Sequence, residues 1–126
     1  MNRKRSIGLI AVVLLLAGCA ARPVHPGAAN SFDSNSYDAV LVAHSVIETT
    51  KTDLTNNAFP ASIAGQVKTA LNDLIKAYDI ADTAYTTYHA AAVAGKATMV
   101  QSTAVSSALT DLQTKSAALT AAKKVQ

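Results

Sequence analysis

The stretch ASIAGQVKTALNDLIKAYDIADTAYTTYHAAAV, residues 61–93, decides the fold, because its apolar residues recur in unbroken alternating steps of four and three. This spacing places them on one side of an α-helix. The stripe consists of Ile63, Val67, Ala70, Leu74, Ala77, Ala81, Ala84 and Tyr88. Leu71, Tyr78 and Tyr85 widen it, which suits a helix that contacts two neighbours. We therefore expect a long central helix over residues 61–93.

Turn-forming residues bound this central helix on both sides. TNNAFPAS, residues 55–62, contains Asn56, Asn57 and Pro60, and the residue before a proline avoids helical angles. After residue 93, Gly95 can supply the left-handed conformation that ends many helices. Breaks as short as these place consecutive helices antiparallel.

Helical spacing before the first break predicts a first helix over residues 36–57. Ser34 or Ser36 can act as its N-cap, and Asp38 lies near its positive end. The stripe on this helix consists of Tyr37, Val40, Leu41, His44, Ile47, Lys51 and Leu54.

A third helix is predicted over residues 98–124. Thr98 and Gln101 have the spacing of a capping box, and Lys123 and Lys124 occupy the last turn, where the helix dipole favours cations. The apolar stripe of this helix consists of Val105, Leu109, Leu112, Ser116 and Leu119. The expected fold is all-α, an antiparallel three-helix bundle formed by residues 36–126. Its alanine-rich seams allow close approach of the helices but bury little area per residue, so we expect modest stability.

The charge distribution indicates no nucleic-acid-binding surface. The formal net charge is +3, but Arg3, Lys4 and Arg5 hold three of the eleven Lys and Arg side chains. From Cys19 onward, eight basic and eight acidic side chains balance. Because no basic stripe remains to neutralise phosphates, we expect no nucleic-acid partner.

The first residues have the features of an export signal. MNRKR, residues 1–5, is positively charged, and IGLIAVVLLLA, residues 7–17, is an apolar run. A membrane-spanning helix needs about 20 apolar residues, so this shorter run is typical of a signal-peptide core. It leads through Ala17 and Gly18 directly into Cys19, the only cysteine of the sequence. A single cysteine excludes a disulfide within the chain.

The four residues Leu16, Ala17, Gly18 and Cys19 resemble the lipobox of bacterial lipoproteins. This resemblance covers the signal segment only. It implies that a signal peptidase recognises Leu16, Ala17 and Gly18 and cuts before Cys19. It also implies that Cys19 receives a diacylglyceryl group through a thioether, because its thiolate is a suitable nucleophile. The resemblance further implies that the amino group of Cys19, which the cleavage exposes, is often acylated. Ala20, where Asp would retain the protein at the inner membrane, implies an outer-membrane destination in a bacterium with two membranes.

The resemblance divides the chain into a cleaved signal peptide, residues 1–18, and a lipidated segment, residues 19–35, ahead of the bundle. AARPVHPGAANSFDSN, residues 20–35, contains two Pro, one Gly and no helical or strand period. It is predicted to be a flexible linker. His25 is interpreted as a solvated residue of this linker.

No catalytic or metal-binding motif is apparent in the bundle. His44 and His89 are predicted to lie too far apart to share an ion, and His44 is interpreted as a buried or half-buried structural residue. Asp79 and Asp82 are placed on a solvated helix face. No serine has the context of a hydrolase nucleophile, and the glycines form no phosphate-binding loop. We expect no enzyme activity, no metal and no cofactor besides the covalent lipid on Cys19.

Four tyrosines form the best candidate contact patch. Tyr78, Tyr85 and Tyr88 share helical spacing near the end of the central helix that faces the membrane, and Tyr37 is expected at the same level. Such side chains can fill a core that alanine leaves thin, or they can bind a partner, because each has an apolar ring and a polar hydroxyl.

These features predict a lipid-anchored cell-envelope lipoprotein with a small, non-enzymatic helical domain that has a structural or interaction role. Its expected partners are the membrane and either other envelope proteins or copies of itself. Two alternatives stay open. One is a helical module that binds a small apolar ligand. The other is a wall spacer resembling murein lipoprotein, whose mature part is one continuous helix with a terminal lysine joined to peptidoglycan. This chain differs in its breaks at Pro60 and Gly95 and in its final residues, Val125 and Gln126.

Overall fold

Three helices make up the fold in a computed structural model, which describes residues 24–124. They are α1 (Ser31–Thr55), α2 (Ala61–Val93) and α3 (Met99–Lys124). α2 packs against both other helices, and its contact with α3 is the more extensive. The predicted all-α three-helix bundle is confirmed, and its chain reversals differ from the single continuous helix of murein lipoprotein. The predicted signal peptide, lipobox and sorting position, residues 1–20, lie outside the described residues.

α1 begins at Ser31, earlier than the predicted start at residue 36. The N-cap is Asn30, not Ser34 or Ser36, because the Asn30 side-chain oxygen accepts a hydrogen bond from the backbone N–H of Asp33 at 2.9 Å. Asp33 also places a carboxylate in the first turn, where the helix dipole favours negative charge. Residues 31–35, predicted as linker, are therefore helical.

Both helix–helix turns contain one residue in the left-handed region. Asn57 has φ 53° after α1, and Gly95 has φ 69° after α2. The N–H of Lys96 then bonds to the carbonyl of Ala91 at 2.8 Å, which is the long hydrogen bond of a Schellman motif. The predicted role of Gly95 is confirmed, while α1 ends at Thr55 rather than at residue 57.

The start of α3 forms the predicted capping box. The backbone N–H of Gln101 donates to Thr98 Oγ1 at 3.2 Å, and the backbone N–H of Thr98 donates to Gln101 Oε1 at 2.9 Å. Two N–H groups that the helix leaves unpaired are thereby satisfied.

The buried side of α2 follows the predicted stripe. Ile63, Val67, Leu74, Ala77, Ala81 and Tyr88 are buried as expected, together with Leu71. Ala70 and Ala84 are half-buried at its margin. In α3 the buried residues are Val105, Ala108, Leu112 and Leu119, with Leu109 packed against them.

The buried side of α1 is rotated from its predicted stripe. Tyr37, Leu41, His44 and Lys51 are exposed, so the interpretation of His44 as a buried or half-buried residue is wrong. The buried residues of α1 are instead Asp33, Ser34, Ser36, Val40, Ala43, Ile47 and Thr50.

Two hydroxyl groups on the buried side of α1 are satisfied within their own helix. Ser36 Oγ donates to the carbonyl of Phe32 at 2.7 Å, and Thr50 Oγ1 donates to the carbonyl of Val46 at 2.8 Å. Small side chains paired in this way can be buried at little cost. They let α1 pack closely on α2, whereas larger residues such as Tyr37 turn outward. No helix within residues 24–124 is both long and apolar enough to span a bilayer.

Candidate functional site

Polar and aromatic side chains meet at the end of the bundle where α1 begins and α2 ends. The chain before α1, residues 24–30, folds back against that helix, and we call it the strap. The residues that converge here are named the polar–aromatic cluster: His25, Asn30, Phe32, Asp33, Tyr37, Tyr85, Tyr88 and His89.

A tight turn at residues 25–28 shapes the strap. The N–H of Ala28 bonds to the carbonyl of His25 at 3.0 Å, and Gly27 has φ 87°. Proline followed by a glycine with positive φ is the pattern of a type II turn, and Pro26 and Gly27 occupy those two positions. The sequence HPGA therefore reverses the chain so that His25 returns to the side of α1.

His25 attaches the strap to α1 through three contacts. Its backbone N–H donates to Ser34 Oγ at 3.1 Å, its Nε2 forms a hydrogen bond with Asp38 Oδ1, and its ring lies edge-on to Tyr37 with 5.6 Å between centroids. The interpretation of His25 as a solvated residue is confirmed by its exposure, although these contacts hold its ring against α1.

Asp33 joins the strap, α1 and α2. Its side chain is 0% exposed. Oδ2 accepts the backbone N–H of Ala29 at 2.8 Å and lies 2.7 Å from Nδ1 of His89 on α2. An ionised carboxylate only accepts hydrogen bonds, so Nδ1 of His89 is the donor in this contact when Asp33 is ionised. The other oxygen, Oδ1, has no hydrogen-bond donor among residues 24–124.

Aromatic rings surround this acid–histidine pair. Tyr88 is buried, accepts a hydrogen bond from Asn30 Nδ2 at 3.1 Å, and contacts the edge of Phe32 with 5.1 Å between centroids. Tyr85 stacks on His89 at 5.6 Å and contacts Tyr37 at 6.1 Å. Asn30 and Tyr88 therefore connect the strap to α2.

The four tyrosines of the predicted contact patch do not all lie together. The structure brings Tyr37, Tyr85 and Tyr88 into the polar–aromatic cluster. Tyr78 lies seven residues before Tyr85, about 10 Å closer to the start of α2 at 1.5 Å per residue. There it packs against the ring of His44 at 5.7 Å. Tyr88 is buried in the core, whereas Tyr37 is exposed and accessible to a partner. The role of the four tyrosines as a contact site stays a prediction.

Burial and nearby acids raise the pKa values of two of these tyrosines. Burial is the main cause of the raised pKa of Tyr85, with the Asp33 carboxylate as the next contribution. The pKa of Tyr78 is also raised, first by burial and then by Asp82 and Asp79, two exposed acids on the same helix. Both hydroxyls therefore stay protonated at neutral pH and can donate hydrogen bonds to a partner.

The polar–aromatic cluster forms no metal site among the described residues. Within residues 24–124, no three His, Cys, Asp or Glu side chains are arranged to hold a metal ion. An open groove of about 580 Å³ lies at the other end of the bundle, between the first half of α2 and the second half of α3. Polar side chains, including Gln66, Asp73 and Lys115, contribute to its lining.

Sequence reasoning missed the Asp33–His89 pair because Asp33 was assigned to a linker. One signal was available: Asn30 and Asp33 have the spacing of an N-cap and the third helical residue, at which polar side chains pair with free backbone N–H groups. The contact with His89 has no local signal, because the two residues are 56 positions apart.

Comparisons with protein families, with characterised proteins and with solved structures found no match to this chain.

Proposed function

We propose that this protein is a bacterial envelope lipoprotein, anchored through lipid on Cys19, whose helical domain has a structural or interaction role and no enzymatic activity. The observation that carries the proposal is the box Leu16, Ala17, Gly18 and Cys19 at the end of an apolar run that follows a basic N-terminus. The combination of box, apolar run, charge and position is more specific than any of its parts.

The proposed anchor is strong enough to hold the domain without a membrane-spanning helix. Each buried CH₂ group of an acyl chain contributes about 0.8 kcal/mol, and stable attachment needs two chains or one chain with a second signal. A diacylglyceryl group supplies two chains at one residue. Ala20 favours an outer-membrane location, facing the periplasm or the outside, if the host has two membranes.

The proposed interaction role is supported by the surface around Tyr37 and Tyr85. Tyr37 is 43% exposed, contacts Tyr85, and lies beside Leu41, which is 51% exposed one turn further along α1. Aromatic residues of this kind are enriched in protein–protein interfaces. The Asp33–His89 pair is interpreted as a structural connection, because each partner comes from a different helix and the carboxylate also bonds to the strap.

Replacement of the acylated cysteine tests the anchor. Expressed in a bacterium with a lipoprotein pathway, the wild-type protein is expected to incorporate a clickable fatty acid, to enter the detergent phase on phase separation, and to begin at Cys19 by mass spectrometry. Cys19→Ser removes the thiol that accepts the lipid, so it is expected to carry no fatty acid and to retain its leader.

Ala21→Ser is the matched control, because it introduces the same residue two positions away and leaves the box intact. It is expected to behave as the wild type does. If the Cys19→Ser protein is still cleaved after residue 18 and partitions into detergent unchanged, the proposed anchor is wrong.

A further inference from the structure

An exposed apolar surface lies at the same end of the bundle as the polar–aromatic cluster. Val93 at the end of α2 is 60% exposed, and Met99 and Val100 at the start of α3 are 84% and 80% exposed. We call these three residues the apolar tip. The residues between them, 94–98, are exposed as well. Apolar side chains gain free energy when they leave water for an apolar phase.

We propose that the apolar tip inserts into the interfacial layer of the bilayer that holds the lipid of Cys19, so that the bundle stands on the membrane at this end. This inference rests on the proposed function, because the lipid anchor would bring the tip to the bilayer. It adds an orientation and a second membrane contact, neither of which the lipid anchor supplies by itself.

The position at which the described chain begins supports this orientation. Asp33 and His89 lie at one level of the bundle, since their side chains are 2.7 Å apart. His25 is attached to Ser34, the residue after Asp33. Val93 is four residues beyond His89, about 6 Å along α2 at 1.5 Å per residue. The start of the strap and the apolar tip are therefore separated by roughly 8 Å along the bundle axis.

The chain between the anchor and the strap is long enough to reach the membrane at the apolar tip, and too short to reach it at the far end. Cys19 precedes Val24 by five residues. Fully extended, five residues span at most about 17 Å, which exceeds the 8 Å separation of strap and tip. α2 is about 50 Å long, so the far end of the bundle is beyond the reach of the anchor.

The charges at this end fit an anionic lipid surface. Residues 19–32 and 83–110 contain no Asp or Glu, and the charged side chains in these segments are Arg22 and Lys96. The acid closest to this end, Asp33, is fully buried. Cations close to a membrane are attracted by anionic lipids, and carboxylates are repelled.

Ile80, an exposed apolar side chain on the side of α2, has different neighbours from the apolar tip. Ile80 is 62% exposed, but it lies on α2 between the exposed acids Asp79 and Asp82. Insertion of Ile80 into a bilayer would carry these carboxylates toward the lipid. The apolar tip is free of such neighbours.

The mature lipidated protein, reconstituted into phosphatidylcholine vesicles with phosphatidylglycerol, allows a direct test. The Cys19 thiol is consumed in its thioether, so a cysteine introduced elsewhere is the only free thiol and takes a polarity-sensitive fluorophore. Labelled Met99→Cys is expected to show blue-shifted emission and several-fold quenching by lipids that carry a nitroxide near the headgroup. Ala121→Cys, an exposed position about 33 Å along α3, is the matched control and is expected to show neither.

The remaining outcomes separate this inference from the proposed function. Lys96→Glu in the Met99→Cys protein, or vesicles without phosphatidylglycerol, are expected to reduce the quenching. Equal quenching at positions 99 and 121, or water-like emission at both while the protein floats with the vesicles, would overturn the tip proposal and leave the anchor intact. A protein that does not float with the vesicles would overturn the anchor, and the tip proposal with it. Circular dichroism of each labelled variant is the control for folding, and helicity equal to that of the wild type is expected.

Discussion

Asp33 is a fully buried acid in which one carboxylate oxygen is hydrogen-bonded and the other, Oδ1, has no donor among residues 24–124. Oδ2 accepts from the backbone N–H of Ala29 and pairs with His89, and the backbone N–H of Asp33 donates to Asn30. Burial of an ionised carboxylate is costly unless it is paired. The strap, α1 and α2 are consequently joined at one side chain, and loss of that side chain affects all three.

Asp33→Ala is expected to lower the free energy of unfolding by about 2–3 kcal/mol, because hydrogen bonds to a charged group are worth more than neutral ones. Urea unfolding followed by circular dichroism measures this loss. Asp73→Ala, which removes an exposed acid from α2, is expected to change the free energy of unfolding by less than about 0.5 kcal/mol.

The same measurement on a double variant tests whether Asp33 and His89 act as a pair. Asp33→Ala combined with His89→Ala is expected to cost less than the sum of the single losses, by roughly 1–2 kcal/mol, because both remove the same contact. Strictly additive losses would show that the two side chains contribute independently.

At the scale of the helices, backbone conformation at the turns determines where each element ends. Asn57 and Gly95 both adopt positive φ, which is unfavourable for most side chains. Asparagine tolerates this conformation through local hydrogen bonding, and glycine has no Cβ to clash. Both helix ends were predictable to within two residues because these residue types have a local conformational preference.

Two glycine-to-alanine substitutions are expected to have opposite effects. Gly95→Ala places a Cβ at φ 69° and is expected to lower the free energy of unfolding by about 1 kcal/mol. Gly65→Ala lies in the interior of α2, where an added Cβ meets no atom within 4 Å, and is expected to raise it by about 0.5–1 kcal/mol. Thermal and urea unfolding of both variants measure the difference, and a change of the same sign in both would contradict this account of the turn.

At the scale of the whole molecule, alanine at the seams determines how closely the helices pack. Ala43 on α1, Ala77 and Ala81 on α2, and Ala108 on α3 are all buried. Side chains this small bring helix backbones close together, and the interior then has little room for larger groups. Tyr37, Tyr78 and Tyr85 accordingly lie toward one end and along the flank between α1 and α2, and Tyr88 is the tyrosine that is buried.

Ala81→Leu is expected to destabilise the bundle by roughly 1–3 kcal/mol, because Ala81 is 0% exposed and the added atoms must displace a neighbouring helix. Ala90→Leu adds the same atoms at an exposed position of α2 and is expected to change the free energy of unfolding by less than about 0.5 kcal/mol. Urea unfolding of the two variants gives the comparison. Equal stability of both variants would mean that the seam at Ala81 is not closely packed.

The sequence by itself determined the number of helices, the buried side of α2, the capping box at Thr98 and the turn at Gly95, because each depends on residues within a few positions of one another. Only the tertiary structure decided which side of α1 is buried. Ser36 and Thr50 have the polarity of surface residues, and their burial depends on hydrogen bonds within α1 and on the packing of α1 in the bundle. The polar–aromatic cluster also became evident only from the tertiary structure. Asp33 and His89 are distant in sequence, and the folding-back of the strap and the antiparallel packing of α1 on α2 bring them into contact.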